Sequence, residues 1–490
     1  MLWMLLLIPA GAGLLAFGLP RQRAVRRFLL PATALAHAAL TALAWVKPPA
    51  PALNGWLGLD AASLLFLSIT SALFLTASFY ATGYLRREPA RKTDFQEGWL
   101  FTDAPEARFV GCLLMFLATM TLVAASRHLG LLWVGVEATT LASAPLIYFH
   151  RHHRSLEATW KYLLICSVGI ALALQGNFFL AVAGRGSPEI HLTIDHLLAG
   201  APRLNPLWLK AAFLFLLVGY GTKMGLAPMH TWLPDAHSEA PSVVSALLSG
   251  ALLNCAFLGI LRVHAVMGAA GLGDFSSQLL TGFGLISMAV AAVFIIEQAD
   301  FKRMLAYSSV EHMGVLSLGA GLGGLAGLGS MLHMVNHSCA KAMLFLLAGN
   351  ILAVYRTKST RHVRGLLKSL PITGPLWMAG FLAIAGSPPF GLFVSELIIL
   401  KEALQAGRVF VATGYLLALS VIFVAMARIL LPMVYGEAEK SAGLGAGHGR
   451  NAWAILPPMA LGAVVLALGL YLPAWLQQAL AGAARAAGIQ

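Results

Sequence analysis

About fourteen stretches of this 490-residue chain are each long and apolar enough to cross a bilayer, and no other property constrains the fold as much. In lipid, a segment must satisfy its own backbone N–H and C=O groups, so such stretches are helices. They run over 2–20, 28–46, 59–84, 109–126, 129–149, 159–183, 207–228, 241–265, 276–297, 302–320, 324–354, 372–405, 409–435 and 452–476. Residues are 59% hydrophobic and 11% charged, which leaves little chain for a soluble domain. The expected fold class is an all-α integral membrane protein. The first stretch lacks a basic leader and a small-residue cleavage site, so it is expected to remain as a mature helix.

The formal net charge of +13 would raise nucleic acid as a partner for a soluble protein. Here the basic residues follow the loops. Arg21–Arg27, Arg86–Arg108, Arg151–Arg154, Lys302-Arg303, Arg356–Lys368, Lys440 and Arg450 all fall in odd-numbered loops, with few Lys or Arg in the even ones. The positive-inside rule then puts the odd loops in the cytoplasm and both termini outside. Cys112, Cys166, Cys255 and Cys339 fall in separate stretches without C-x-x-C spacing, so they read as small apolar fillers rather than as a disulfide or Fe–S set.

Residues 1–108 read as a three-helix block ending in a charged loop. Two five-helix units follow, 109–265 and 276–435, and 452–490 closes the chain. Each unit holds a helix that proline should interrupt, at Pro228 and at Pro388-Pro389. The surrounding segments, Gly225-Leu-Ala-Pro and Gly386-Ser-Pro-Pro, correspond loosely. An odd number of helices per unit forces opposite orientations, which predicts inverted repeats with functional groups near the midplane.

Ionisable residues inside spans are costly and seldom idle. Lys223 lies in Gly219-Tyr-Gly-Thr-Lys-Met-Gly225, five residues before Pro228. Glu137, in Val134-Gly-Val-Glu-Ala-Thr-Thr140, is its expected partner. Lys161, one turn into its helix, either snorkels to the interface or joins a relay; Lys210 suits an interface anchor. His312 lies about 15 Å beyond the Lys302-Arg303 pair by helical rise. His333, His337 and Lys341 stand at i, i+4 and i+8 on one face. That spacing would suit a metal, but no carboxylate or cysteine completes a site on this face, so no metal is expected and a proton-moving stripe is the reading. Glu396 follows the second break. The tract Phe149-His-Arg-His-His-Arg154 reads as a solvated loop.

Several segments carry a family resemblance. Pro228–Pro241, Ala306-Tyr-Ser-Ser through His312-Met-Gly314, and Asn336-His-Ser-Cys-Ala-Lys341 through Gly349 resemble the proton-conducting, antiporter-like membrane subunits of respiratory complex I, multisubunit Mrp-type cation/proton antiporters and membrane-bound hydrogenases. Glu137-Ala-Thr-Thr-Leu and Ser155–Gly169 look most like the F component of the hydrogenase-4 and formate hydrogenlyase type. The resemblance implies that Glu137 and Lys223 form a first-unit pair, and that His312, His337, Lys341 and Glu396 carry the second half. One departure stands out. Many members of the family place a lysine near Leu252-Leu-Asn-Cys255, where this chain has Asn254, so the link between units is expected to run through water or through a group such as His264.

The expected function is proton translocation through a Glu/Lys/His relay, as a subunit of a redox-driven complex in a bacterial or archaeal inner membrane. No cofactor is expected in the chain itself; Fe–S, NiFe or quinone chemistry is expected in peripheral redox subunits docked on the cytoplasmic side, beside other membrane subunits. A sodium/proton antiporter module and a membrane partner of an inorganic-carbon uptake complex are the alternatives.

Overall fold

The computed structural model describes residues 1–87, 91–93, 100–185, 191–437 and 451–489. Lys440 and Arg450 of the predicted basic loops, and parts of the Arg86–Arg108 loop, lie outside the described residues.

The chain is nearly all helix. α1 (Leu2–Gly18), α2 (Arg23–Val46), α3 (Ala61–Arg87) and α4 (Glu106–Ala125) pack as neighbours. α5 (Leu129–Ile147), α6 (His153–Ala183), a short α7 (Ile194–Gly200) and α8 (Pro206–Met224) follow. After the first break come α9 (Trp232–Glu239) and α10 (Ser242–Leu247), which passes through a π turn at Leu248–Leu252 into α11 (Leu253–Ala269). Next are α12 (Gly273–Ile295), α13 (Phe301–Leu322) and α14 (Gly324–Tyr355). A single turn, α15 (Leu366–Ser369), precedes α16 (Thr373–Ile384) and α17 (Gly391–Gln405), which flank the second break. α18 (Val409–Tyr435), α19 (Ala452–Leu470) and α20 (Ala474–Ala486) complete the set. Besides its early neighbours, α3 also packs against α10, α14, α19 and α20 of the later chain.

Eleven of the described helices are long and apolar enough to span a membrane, and α1 and α16 are shorter apolar helices. α13 has the length but carries Lys302, Arg303, Glu311 and His312, which lower its hydropathy. The last predicted span, 452–476, ends earlier, at Leu470. Pro473 starts a separate amphipathic helix there, α20, whose Leu476, Leu480 and Ala483 face α3 and α14. A small antiparallel hairpin, Arg91–Thr93 with Leu100–Thr102, occupies the loop between α3 and α4.

The loops sort onto two faces. On one face Arg27 holds Glu106 with a two-pronged contact at 2.9 Å, His150 meets Asp103 at 2.9 Å, and Lys358 reaches Glu239 at 2.7 Å. On the other, Arg127 pairs with Asp195 at 2.6 Å, and Arg262 takes both oxygens of Asp60 at 2.5 and 2.9 Å. Among the described residues, the odd loops share the first face, here called the basic face.

α8 ends where Gly225 adopts a left-handed conformation (φ 85°), and a cis Ala227-Pro228 bond turns the chain toward α9. At the second break Gly386 is also left-handed (φ 61°), followed by a cis Pro388-Pro389 bond. Glycine is the residue that adopts φ > 0 without steric penalty, and proline denies the helix its next N–H. The freed groups find partners nearby. Trp232 Nε1 donates to the Thr222 carbonyl at 2.8 Å, and the Ala227 amide donates to Ser287 Oγ at 3.0 Å.

Candidate proton path

Lys223 is fully buried in the last turn of α8, where the helix C-terminus presents carbonyl oxygens that favour a cation. Its Nζ donates to Tyr162 Oη at 2.6 Å and to Thr140 Oγ1 at 2.8 Å, and it stands 4.5 Å from the centre of the Tyr162 ring. Glu137, half-buried on α5, accepts from Thr140 Oγ1 at 3.3 Å and from Ser167 Oγ at 3.0 Å. The expected Glu137–Lys223 pair is therefore not in direct contact. Thr140, one helical turn beyond Glu137, lies between them.

Lys161 sits apart from this cluster. Its side chain is 45% exposed and pairs with Glu157 at 2.6 Å and Asp235 at 2.9 Å on the basic face. Arg303 joins the same Asp235 at 2.9 Å. Lys210 lies 5.3 Å from the ring of Phe275 near the opposite face.

The second cluster is built from three helices. His312 on α13 and His333 on α14 share a hydrogen bond, Nδ1 to Nε2, at 3.0 Å. His333 Nδ1 meets Ser395 Oγ on α17 at 3.0 Å, and the rings of His312 and His337 lie 4.9 Å apart. All three imidazoles are fully buried. Glu396 is buried beside them. Its carboxylate folds back over Gly386 at the break, filling the space a Cβ would take. Lys341, two turns beyond His333 and also fully buried, donates to the Leu305 carbonyl at 2.7 Å. Pro388 and Pro389 are exposed, while the imidazoles and Glu396 behind them are buried.

Between the clusters, α11 carries Asn254, just past the π turn, against α14, where its amide donates to Ser338 Oγ and to the Gly250 carbonyl, both at 2.8 Å. Ser249 meets Ser309 Oγ at 2.8 Å on the same side. π turns recur at functional positions because they displace one residue from the regular ladder. His264 lies farther along α11, bonded to Ser276 Oγ at 2.8 Å.

Sequence reasoning passed over several groups that the structure adds. Glu311, buried on α13, places Oε2 4.0 Å from His312 Nε2. His237 is fully buried and stacks on Phe345 of α14 at 5.0 Å. Thr140 and Tyr162 hold the lysine. Glu311 and His237 lie in quoted motifs, and only packing reveals their neighbours.

A profile of the NADH:quinone oxidoreductase/Mrp antiporter transmembrane family matches residues 126–422, which include both clusters. The chain is 34% identical over 422 residues to a hydrogenase-4 component F homolog from Methylacidiphilum infernorum, covering 84% of this chain and 85% of that protein. It is 30% identical over 509 residues to NADH-quinone oxidoreductase subunit L from Mycobacterium tuberculosis, covering 97% of this chain and 76% of that one. Its fold superimposes with a TM-score of 0.87 at 20% identity on a chain of the membrane-bound sulfane sulfur reductase, an archaeal respiratory membrane complex, covering 99% and 97% of the two chains. This multi-pass membrane protein belongs to the NADH:quinone oxidoreductase/Mrp antiporter transmembrane family.

Proposed function

We propose that the chain is the proton-translocating subunit of a redox-driven membrane complex of the hydrogenase-4 or complex I kind. One observation carries this reading: two buried clusters of titratable groups, each beside a helix break, with polar side chains of the π turn region between them. A proton leaves Glu137 or Lys223 through the Thr140 hydroxyl and reaches the imidazoles by way of the Asn254 region, where water serves in place of a lysine. His312 and His333 pass it toward Glu396 beside the second break. His337 and Lys341 adjust the charge of this second cluster, and Lys161 belongs to the ion pairs with Glu157 and Asp235 on the basic face, beside the first cluster.

The corresponding breaks support two inverted units, about 109–265 and 276–435. The crowding of Arg and Lys on the basic face supports a cytoplasmic orientation for it, in a bacterial or archaeal inner membrane with both termini outside. Redox cofactors, Fe–S, NiFe or quinone, belong on this reading to partner subunits docked at that face.

The deciding experiment is proton pumping by the assembled complex in sealed vesicles. Lys223→Ala is expected to abolish pumping while assembly persists. Pumping at the wild-type rate in that variant refutes the relay, and flux that requires Na+ favours a sodium/proton antiporter module instead.

A further inference from the structure

The imidazole stripe on α14 lacks a carboxylate of its own, but helix packing supplies one. α17 brings Glu396 to His312 and His333 so that one ligand atom from each lies within 4.8 Å of the others. We propose that His312, His333 and Glu396 form a binding site for a zinc-class divalent transition ion, Zn2+ or Co2+.

The geometry fits such an ion. Two Zn–N bonds of about 2.0–2.1 Å at a tetrahedral angle separate their nitrogens by roughly 3.3 Å. His312 Nδ1 and His333 Nε2 stand 3.0 Å apart. Opening that contact by a few tenths of an ångström, with the Glu396 carboxylate swinging inward from its place within 4.8 Å, admits the metal. Two imidazoles and one carboxylate, with a position left open, are a donor set that zinc and cobalt accept and that magnesium or calcium do not favour.

Groups behind the ligands fix their tautomers. Ser395 Oγ already donates its hydrogen to the Leu392 carbonyl at 2.8 Å, so at its 3.0 Å contact with His333 it accepts from Nδ1–H. The Nε2 lone pair of a neutral His333 is thereby turned toward His312 and the site. In the metal-free protein His312 Nδ1–H donates into that lone pair. With a metal bound, the Nδ1 proton moves to Nε2, which faces Glu311 Oε2 at 4.0 Å. The imidazole keeps its single proton, and Glu396 binds as the carboxylate. Carboxylates and hydroxyls behind histidine ligands orient them and raise their basicity. Ser395 is positioned for this task, and Glu311 joins it once its side chain closes the 4.0 Å gap to His312.

The Glu396 carboxylate, packed over Gly386 beside exposed Pro388 and Pro389, is the ligand nearest the surface. Once bound, an ion occupies His312 and Glu396 together and blocks proton transfer; this consequence rests on the relay reading, whereas binding itself does not.

The test uses the full complex, stripped of metal with a chelator and reconstituted in lipid nanodiscs, with Co2+ as the probe. Wild-type protein should bind about one Co2+ per chain with the visible absorption of a four-coordinate N/O site, and Zn2+ should displace it with a nitrogen/oxygen shell at about 2.0 Å by X-ray absorption. Glu396→Gln and His333→Gln should weaken Co2+ affinity at least about tenfold, Ser395→Ala by about 10- to 100-fold, and His191→Gln on the opposite face not at all. Ser395→Ala removes one hydroxyl and keeps the readout available where a larger change unfolds the protein. Absence of Co2+ uptake by wild-type protein overturns the proposal, as does wild-type affinity in both Ser395→Ala and Glu396→Gln. Zn2+ bound with proton flux undiminished leaves the site standing and refutes the relay. Pumping lost in His312→Gln, with no Co2+ bound by wild-type protein, does the reverse.

Discussion

The hydroxyl of Thr140 joins Lys223 to Glu137: it accepts from the lysine at 2.8 Å and donates to the carboxylate at 3.3 Å. A threonine carries one hydrogen and can both give and receive, so it links an acid to a base that do not touch. Thr140→Val keeps the shape and removes the link. It should slow pumping about 10- to 100-fold, the size of a lost hydrogen bond to a charged group, while Thr140→Ser retains most of the rate. Equal rates in the valine and serine variants would show that the hydroxyl is a bystander.

Glu137→Gln is expected to cut proton flux strongly, and adding Lys223→Ala to it should cost little more. Groups that act as one unit lose their function once. A double-mutant cycle in vesicles measures this directly. Losses that simply add would separate the two residues.

At the second break the carboxylate of Glu396 occupies the space above Gly386. Glu396→Ala should stop pumping, Glu396→Asp should keep part of it through a bridging water, and Glu396→Gln should behave like alanine. A fully active glutamine variant would reduce the residue to a helix-start stabiliser worth about 0.3–1 kcal/mol. Gly386→Ala tests the same geometry from the other side. A Cβ there meets the carboxylate, and a residue other than glycine at φ 61° adds about 1–2 kcal/mol of backbone cost, so both activity and thermal stability should fall.

On the basic face, burial would raise the pKa of Glu239, but Lys358 at 2.7 Å, with His152 and Arg154 nearby, holds it below the ordinary glutamate value. A carboxyl with a depressed folded-state pKa contributes stability above its unfolded pKa and loses it as pH falls through the folded one. The stability gap between wild type and Glu239→Gln should be complete above about pH 5 and shrink below about pH 4.3. Melting curves across pH 3 to 7 in detergent, on the order of one unit per step, read the gap. A gap that widens on acidification would contradict the assignment.

The spans and both breaks were legible because a bilayer writes them plainly: apolar runs, two proline interruptions and glycines at the turns. Most helix ends fall within a few residues of their expected positions. What the sequence hid lies between helices. Thr140 looks like an ordinary polar residue until α8 delivers Lys223 to it. Glu311 adjoins His312 in the chain, yet its relevance comes from the direction of its side chain. Glu396 is remote in sequence from His312 and His333, and only the packing of α17 on α13 and α14 puts them together. His37, in the N-terminal three-helix block, is buried between Ser71 and Thr121 at 2.9 Å from each, contacts that no local pattern around it announces. α20 was hidden by its short length and by alanines that blur its polar side.

The two breaks hold opposite charges at opposite kinds of helix end. Lys223 stands among the terminal carbonyls of α8, whereas the Glu396 carboxylate reaches back past the amide end of α17. Each backbone terminus is a permanent counter-charge that cannot be titrated or exchanged. An interchange variant, Lys223→Glu with Glu396→Lys, conserves net charge and side-chain inventory but sets each ion against a terminus of its own sign. The molecule thus has a polarity that no bookkeeping of residues reveals, and it is the main chain, rather than any side chain, that decides which break takes the base and which the acid.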